Sequence, residues 1–308
     1  MRIHAISLAP LSNAQKQRLS ALGELVYHDA VLGDSSAGEL CRGAEAIVIT
    51  PRQAVDIVPC LDRCRVISVQ GAGTDALDVA AARRQGIVVC NVPDFCTDAV
   101  AEHAFALLLA AVKRIEQGRL WLKEGRWQAA LAYTTFGLSG RTLGLYGCGK
   151  IGARIAEIAR GFRMRVVAAV RDRGKPHPVE TVPFETLLRE SDFLVLAAPA
   201  TAETTGVFNA SAFGQMKPGA VLINISRAAL VEDGALLGAL EQGRLSAAGI
   251  DVFATEPPAT NDPLLQHPSV VVSPHVAWGT EDALERLLDL SIANLEAFAA
   301  GSPVNVVT

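Results

Sequence analysis

The chain has 308 residues, of which half are hydrophobic and 19% are charged. This composition supports a large buried core and excludes a disordered polypeptide, while the length suits two domains better than one. The formal net charge of −4 argues against a general nucleic-acid-binding protein, which would need an extended basic surface.

The cysteines and the apolar runs allow a prediction of where in the cell the protein is located. Six cysteines are present without C-x-x-C or zinc-type spacing, and no signal peptide is recognisable at the start of the chain. The longest apolar run, residues 99–112, contains Glu102 and His103 and is too short to span a bilayer. We therefore expect a cytoplasmic protein with reduced thiols, no membrane segment and no metal site.

Short β-branched segments alternate with helical segments through the first hundred residues. The predicted strands are RIHAISL, AIVIT, RVISVQ and GIVVCN, and the helical patterns between them include NAQKQRLSALG and ALDVAAARRQG. Because these strands are almost continuously apolar, we expect them to be buried on both faces of a parallel sheet. Residues 98–117 then predict one long helix, and residues 125–140 an irregular stretch.

A second series of strands follows in the rest of the chain. Its members are TLGLYG, RVVAAV, DFLVLAA, AVLINI, AAGIDVF and SVVVSP, again with helices between them. The last segment predicts one amphipathic helix, with Thr280 as its N-cap and Gly301 at its end. The alternation predicts an α/β protein with two doubly wound parallel-sheet domains and a cleft between them.

A glycine-rich turn follows the first strand of the second series. Gly147, Gly149 and Gly152 have G-x-G-x-x-G spacing, after an apolar strand at 142–146 and before an amphipathic helix. In this context the glycines allow a tight turn, a close approach of a pyrophosphate, and close packing of helix and strand. The alternative is an ordinary βα turn; the strand and helix on either side favour a dinucleotide-binding site.

A basic loop follows the next strand. That strand of a dinucleotide-binding unit normally ends in an acid that binds the ribose 2′-hydroxyl of NAD. Here Val170 is followed by Arg171, with Arg173 and Lys175 close behind. An arginine can bind the 2′-phosphate of NADP through two hydrogen bonds. The sequence therefore favours NADP(H), and NAD(H) remains possible if Asp172 binds the ribose.

Long motifs in both halves resemble the D-2-hydroxyacid dehydrogenase family. They include GAGTDALDVAAARRQGIVVCNVPDFCTDAVAEHAFALLLAAVKR, LINISRAALVEDGALLGALEQGRLSAAGIDVFATEPP and VVVSPHVAWGT. The resemblance extends over nearly the whole chain from about residue 65. The segment PHVAW is similar to the branch of glyoxylate/hydroxypyruvate reductases and glycerate dehydrogenases. The fold that this family implies is a Rossmann cofactor domain and a flavodoxin-like substrate domain.

The resemblance implies a catalytic set of Arg227, Glu256 and His275. Arg227 would bind the substrate carboxylate and polarise the C2 carbonyl, and His275 would protonate the carbonyl oxygen as NADPH delivers hydride to C2. Glu256, hydrogen-bonded to the imidazole, would favour its protonated form. Each residue alone could have a local structural role. Each follows an apolar strand, however, where ligands bind to open α/β sheets, and their joint order favours catalysis.

The resemblance also implies binding residues outside the catalytic set. The backbone of Gln70, Gly71, Ala72 and Gly73 would hold the substrate carboxylate, and Trp278 would limit the pocket to small side chains. Arg52 could equally reach the substrate or be solvated. The expected cofactor-binding residues are Thr97, Gly147, Gly149, Lys150, Ile151, Gly152, Arg171, Asp172, Arg173, Ala198, Pro199, Thr204, Ile225, Ser226, Asp251 and Ala277.

These expectations define a domain organisation and an activity. We expect a discontinuous substrate-binding domain, 1–97 and 277–308, and a dinucleotide-binding domain, 98–276. Helix 98–117 and the following RLWLKEGRWQ resemble the dimerisation segment of the family, which implies a homodimer. Trp121 and Trp127 fit a buried interface, and the alternative is that they lie in the core of a monomer. The predicted activity is the NADP-preferring reduction of glyoxylate and hydroxypyruvate. The alternatives are a phosphite-type dehydrogenase with the same catalytic set and a non-enzymatic, cofactor-sensing corepressor on the same scaffold.

Overall fold

The computed structural model describes residues 1–28, 37–128 and 135–307, and the chain divides into two compact units. The first unit comprises Met1–Phe95 and Thr280–Thr308, and the second comprises Cys96–Gly279. The boundaries expected from the sequence, 97 and 277, lie a few residues from these divisions. The binding roles assigned to the two units remain predictions.

The two units alternate strands and helices in chain order. The strands are β1 (Arg2–Ile6), β2 (Glu24–His28), β3 (Ala46–Ile49), β4 (Val66–Val69), β5 (Val88–Cys90), β6 (Thr142–Tyr146), β7 (Arg165–Ala169), β8 (Glu180–Thr181), β9 (Phe193–Leu196), β10 (Ala220–Asn224), β11 (Leu245–Ile250) and β12 (Val270–Val272). The helices are α1 (Asn13–Leu22), α2 (Ala37–Leu40), α3 (Val79–Arg84), α4 (Thr97–Lys113), α5 (Ile115–Lys123), α6 (Lys150–Gly161), α7 (Phe184–Glu190), α8 (Ala210–Gln215), α9 (Ala235–Glu241), α10 (Pro263–Gln266) and α11 (Glu281–Ala299).

The first unit is built on a parallel sheet. In the described ranges this sheet has five strands in the order β2-β1-β3-β4-β5, the flavodoxin-like order. The C-terminal helix α11 belongs to this unit and buries Leu288, Ile292 and Leu295 against Ile3 and other residues of the sheet. Strands with helical cover on their faces read as continuous apolar runs, as the sequence predicted.

The second unit is built on a larger parallel sheet. Its seven strands in the described ranges have the order β12-β11-β10-β9-β6-β7-β8. The strand order reverses between β6 and β9, and ligands of open α/β sheets bind at the carboxyl ends of strands at such a point. The prediction of an α/β protein with two parallel-sheet domains is confirmed.

The structure differs from the sequence prediction at three elements. The expected helix at 98–117 is two helices, because α4 ends at Lys113 and Arg114 has a positive φ of 48° before α5 begins. Strands β2 and β8 were not predicted; β8 has two residues, and both pair as outermost strands of their sheets. Part of the predicted irregular stretch 125–140, residues 129–134, lies outside the described residues.

The terminal helix has the expected ends. The Thr280 side chain accepts a hydrogen bond from the Ala283 amide, which confirms it as the N-cap of α11. The helix ends at Ala299, and Gly301 follows with a φ of 80°, a conformation that favours glycine. In the part of the chain that the structure describes, each helix is too short or too polar to cross a bilayer.

Candidate active site

Most of the residues that the sequence predicts to be functional lie at the carboxyl edge of the larger sheet. The residues that follow successive strands at this edge are Gly147 after β6, Arg171 after β7, Ala198 after β9, Arg227 after β10, Asp251 after β11 and His275 after β12. Because all these strands are parallel, their carboxyl ends lie at one edge of the sheet. The second unit therefore presents a single candidate site.

Two glycines of the turn after β6 are required by close backbone packing. Gly147 has a φ of 95°, and a Cβ atom there would lie 2.9 Å from the Ala197 carbonyl oxygen. A Cβ atom on Gly152 would lie 2.6 Å from the Gly147 carbonyl oxygen, closer than real Cβ atoms approach. Both positions therefore need glycine for the turn and the helix to pack as they do.

The third glycine faces open space. A Cβ atom on Gly149 would meet no atom of the described residues within 4 Å, so the described part of the chain leaves room for another molecule to approach the backbone there. Gly149 is the N-cap of α6 and provides no side-chain cap, and the first turn, which begins with Lys150 and Ile151, contains no acid. The helix N-terminus thus offers amide hydrogens and a positive dipole to an anion. These residues fit the pyrophosphate of a dinucleotide; Thr97, at the start of α4, is a further predicted contact.

The basic loop after β7 contains two cations without partners among the described residues. Arg171 and Arg173 are exposed and make no hydrogen bond or ion pair with any described residue. The Asp172 carboxylate accepts a hydrogen bond from the Gly174 amide at 3.0 Å and lies 3.5 Å from the Lys175 ammonium. The acid is therefore held within its own loop, whereas the two guanidinium groups are available to a ligand.

One hydroxyl group joins the loop after β10 to the loop after β9, and another forms a hydrogen bond within the loop after β9. Ser226 donates a hydrogen bond to the Ala198 carbonyl, and Thr204 donates to the Pro199 carbonyl at 2.8 Å. Ile225, just before Ser226, is buried. Since both hydroxyl protons are used internally, Ser226 and Thr204 can offer a ligand acceptor lone pairs only. Their predicted contacts with a cofactor remain predictions.

Arg227 is positioned by a buried asparagine that sequence reasoning missed. The Asn224 amide group donates to the Arg227 carbonyl at 2.9 Å and accepts from the Ser226 amide at 3.1 Å. The Arg227 guanidinium also donates to the Ser226 carbonyl at 2.9 Å. A polar residue ending the buried strand AVLIN was the available signal, because a buried amide must find hydrogen-bond partners.

The predicted acid and histidine are directly hydrogen-bonded. His275 Nδ1 lies 2.7 Å from a carboxylate oxygen of Glu256, whose other oxygen accepts from the Phe253 amide at 3.2 Å. Since an ionised carboxylate can only accept, the imidazole donates from Nδ1, which leaves Nε2 for proton transfer. Of the predicted catalytic set, the structure joins Glu256 and His275 by a hydrogen bond. Arg227 follows β10 and His275 follows β12, so one strand, β11, lies between them in the sheet.

The loop that carries His275 is held by a buried carboxylate. Asp251 is 1% exposed and accepts hydrogen bonds from the Val276 and Ala277 amides, both at 2.9 Å, and from the Ser273 hydroxyl at 2.6 Å. The Ser273 hydroxyl also lies 2.7 Å from His103 Nε2. Sequence reasoning placed Asp251 and Ala277 in the cofactor set, missed Ser273, and treated His103 as structural.

Trp278 contributes to the same loop. Its indole nitrogen donates to the His275 carbonyl at 3.1 Å, and its side chain is half-buried. This hydrogen bond fixes the Trp278 side chain to the His275 backbone. The role that the sequence predicts for Trp278, which is to limit the size of the pocket, is a separate one. The position of Trp278, three residues after His275, was the signal for a side chain near the imidazole.

The first unit contains the predicted carboxylate-binding loop. The Gln70 side chain is buried and is occupied by hydrogen bonds with Leu8, Ser7 and Ser291. By contrast, the amides of Ala72 and Gly73 donate to no described residue. We therefore expect the backbone N–H groups of this loop, and not the Gln70 side chain, to make the predicted contact with the substrate.

Two other residues of the first unit belong to the predicted substrate set. The Gly71 carbonyl accepts a hydrogen bond from the Val92 amide at 2.9 Å, which holds the predicted carboxylate-binding loop against the segment that follows β5. Arg52 is exposed in a short 3-10 turn, Pro51–Gln53, after β3. Its predicted contact with a substrate stays a prediction.

Comparison with known proteins agrees with this arrangement. Residues 105–277 match the family described as D-isomer specific 2-hydroxyacid dehydrogenase, NAD binding domain. A glyoxylate reductase of Thermococcus litoralis is 38% identical over 87% of this chain and 85% of its own length. A hydroxypyruvate reductase of Blautia hydrogenotrophica is 32% identical over 94% of this chain and 93% of its own.

Solved structures show the same similarity. An NADPH-dependent glyoxylate/hydroxypyruvate reductase of Sinorhizobium meliloti, solved with NADP and malonate, has a TM-score of 0.85 and 30% identity, covering 100% of this chain and 96% of that one. The resemblance seen in the sequence motifs is thereby confirmed. The chain belongs to the D-isomer specific 2-hydroxyacid dehydrogenase family.

Proposed function

We propose that this protein transfers hydride between NADP(H) and C2 of a small 2-keto or D-2-hydroxy acid, with reduction of glyoxylate and hydroxypyruvate as its main activity. The observation that carries this proposal is the 2.7 Å bond between Glu256 and His275 at the carboxyl edge of a dinucleotide-binding sheet. Relatives named glyoxylate reductase and hydroxypyruvate reductase support the substrate class.

The Glu256–His275 pair supplies the proton for the reaction. When bound, the nicotinamide supplies the hydride that is added to C2. Glu256 accepts a hydrogen bond from the Nδ1–H group of His275 and stabilises a positive charge on the imidazole. His275 can therefore donate a proton from Nε2 to the carbonyl oxygen of the substrate. In the reverse direction, the same nitrogen takes up the hydroxyl proton.

A guanidinium group binds the substrate carboxylate in this proposal. We assign that carboxylate to Arg227 of the second unit. A planar guanidinium fits a planar carboxylate through two parallel hydrogen bonds, which lysine does not match. Trp278 sets an upper limit on the size of the substituent at C2, which favours short-chain acids such as glyoxylate and hydroxypyruvate.

The coenzyme that we propose is NADP(H). Arg171 and Arg173 are exposed and have no partner among the described residues, whereas Asp172 is engaged within the loop. A 2′-phosphate carries about two negative charges and can occupy both guanidinium groups, while the 2′-hydroxyl of NAD gains little from them. The Sinorhizobium meliloti relative, named as NADPH-dependent, supports this preference.

The same observations support the binding roles that we propose for the two units. The family match at 105–277 falls within the second unit, which also carries the glycine turn and the basic loop. We therefore assign dinucleotide binding to the second unit and substrate binding to the first. The amides of Ala72 and Gly73 support the latter assignment.

The assembly that we propose is a homodimer formed through α5 and the residues that follow it. This helix has no buried residue, and its exposed side chains include Ile115 and Leu122, which are 61% and 54% exposed. Trp127, just beyond the helix, is 62% exposed. Large apolar side chains clustered on one surface segment are typical of a protein interface.

The location that we propose is the cytoplasm. Each of the six cysteines is a free thiol, and four of them, Cys41, Cys64, Cys90 and Cys96, are buried. Unpaired cysteines in this number are typical of proteins kept in a reducing compartment.

The two alternative activities have less support. A phosphite-type dehydrogenase would use the same catalytic set, but the relatives reported above are reductases of glyoxylate and hydroxypyruvate. A corepressor would have no need of a hydrogen-bonded acid and imidazole at the coenzyme site. The comparisons favour neither alternative.

The test is a steady-state panel with glyoxylate, hydroxypyruvate, pyruvate and bulkier 2-keto acids, each with NADPH and with NADH. The proposal predicts the highest kcat/KM for glyoxylate and hydroxypyruvate with NADPH. His275→Ala should abolish turnover and leave NADPH binding nearly unchanged. Activity with none of these acids, or loss of coenzyme binding in the variant, contradicts the proposal.

A further inference from the structure

A chain of hydrogen bonds extends from helix α4 to the loop that carries His275. The Ser273 hydroxyl lies 2.6 Å from an Asp251 oxygen and 2.7 Å from His103 Nε2. Because a carboxylate can only accept, Ser273 uses its one proton toward Asp251. Ser273 must then accept from His103, so Nε2 of His103 carries a hydrogen. The direction of donation is therefore His103 to Ser273 to Asp251.

The carboxylate at the end of this chain holds the backbone next to His275. One Asp251 oxygen accepts from the Val276 amide and the other from the Ala277 amide, both at 2.9 Å. The Ser273 hydroxyl shares the first oxygen. Rotation of the Asp251 side chain would thus release two amides directly after His275, and the bonds from Ser273 and the backbone restrict that rotation.

The backbone of His275 needs such support. Its φ is 55°, in the left-handed region that residues other than glycine rarely adopt. A conformation of this kind persists where the surrounding structure holds it, and Asp251 provides two of the hydrogen bonds that do so. The position of the imidazole relative to a substrate therefore depends on groups that do not touch the substrate.

His103 lies at the far end of this chain, on a different element. It belongs to α4, is about a quarter exposed, and its Nε2 is also 3.6 Å from an Asp251 oxygen. The histidine thus acts on Asp251 both through Ser273 and by its proximity to the carboxylate. Helix α4 is otherwise packed through apolar residues such as Phe105 and Leu108, so His103 is a polar connection between this helix and the catalytic loop.

We propose that His103 and Ser273 are positioning residues for His275, because they orient the Asp251 carboxylate that holds the His275 loop. This inference deepens the proposed function and rests on it for its kinetic consequences. A role in stability alone would lower the melting temperature without a specific effect on the chemical step. The experiment must therefore distinguish the effect of losing the hydrogen-bond donor at position 103 from the effect of changing the side-chain volume there.

The experiment compares His103→Leu, which removes the donor, with His103→Gln, which retains an amide N–H at a similar reach. Ser273→Ala interrupts the chain at its centre and replaces His103→Leu if that variant does not fold. Glu102→Gln, an exposed neighbour on the same helix, is the matched control. For each, kcat, KM for glyoxylate, the isotope effect with deuterated NADPH, and the amide exchange rate of the peptide containing Val276 and Ala277 are measured.

Removal of the donor should slow the chemical step. We expect His103→Leu to lower kcat about tenfold, because a small displacement of a catalytic group has an effect of this size or more. KM should change less than about twofold, the isotope effect should rise, and the peptide should exchange faster. His103→Gln should recover most of kcat, and Glu102→Gln should match the wild type.

Two results overturn the inference. Equal kcat values in the Leu and Gln variants show that the donor does not matter, and an unchanged exchange rate in His103→Leu and Ser273→Ala shows that the chain does not hold the loop. A wild-type protein that reduces no 2-keto acid instead contradicts the proposed function, and the exchange measurement then still decides whether His103 and Ser273 position the loop.

Discussion

Replacement of Gly152 by alanine tests the packing of the phosphate-binding turn. The new Cβ atom would lie 2.6 Å from the Gly147 carbonyl oxygen, and α6 would have to move away from the turn by several tenths of an ångström. Overpacking of this kind destabilises by about 2 kcal/mol. We therefore expect the melting temperature to fall by roughly 4–8 °C. Coenzyme affinity should fall as well, because the amide hydrogens of α6 leave their positions.

Two other glycines provide matched variants. A Cβ atom on Gly149 meets no atom within 4 Å in the described parts of the chain, so Gly149→Ala should keep the wild-type melting temperature but place a methyl group where a pyrophosphate approaches the backbone. Loss of one or two charge-assisted hydrogen bonds corresponds to a roughly tenfold to hundredfold rise in Kd. Gly161→Ala, at the end of α6 and without near contacts among the described residues, should lower neither property, because alanine is favoured over glycine in a helix.

The assays are thermal unfolding and titration of NADPH into each variant. The three substitutions should give three different outcomes: loss of stability and binding for Gly152→Ala, loss of binding alone for Gly149→Ala, and no loss for Gly161→Ala. A Gly149→Ala variant that binds NADPH as tightly as the wild type would refute the assignment of this turn to the pyrophosphate.

Three further predictions concern other parts of the molecule. Arg171→Ala should raise KM for NADPH about tenfold and change KM for NADH little, because it removes one phosphate contact on an exposed loop; equal effects would contradict the NADP assignment. Burial lowers the pKa of His4 and of His28 in the folded protein. As the pH falls, these histidines therefore become protonated in the unfolded chain before they do in the folded one, and the free energy of unfolding should fall below about pH 6.5. Urea unfolding at pH 5 and pH 7 measures this, and His28→Phe should flatten the dependence. Burial also raises the pKa of Cys41 to about 12, so iodoacetamide at pH 8 should alkylate the more accessible Cys60 first in the native protein, as peptide mapping can check.

Several structural features followed directly from local sequence patterns. Apolar β-branched runs separated by amphipathic helices predicted both parallel sheets, since buried strands and their covering helices each have a distinct periodicity. The Thr280 cap was also predictable, because a cap depends on residues three positions apart. The sequence did not predict the strands β2 and β8. Both are outermost strands, which are short and partly exposed and therefore have a weaker apolar pattern.

Arg227, Glu256 and His275 were implied by the resemblance of their local motifs to a known family, and the glycine turn was predictable because its residues are near one another in the chain. The hydrogen bonds around Asp251 were not, since His103 and Ser273 are 170 positions apart and meet only where α4 packs beside β12. A histidine in an Ala- and Leu-rich helix has the same local pattern whether it is solvated or bonded across the fold. Only the tertiary structure decides its partner, because hydrogen bonding depends on distance in space, which local periodicity does not encode.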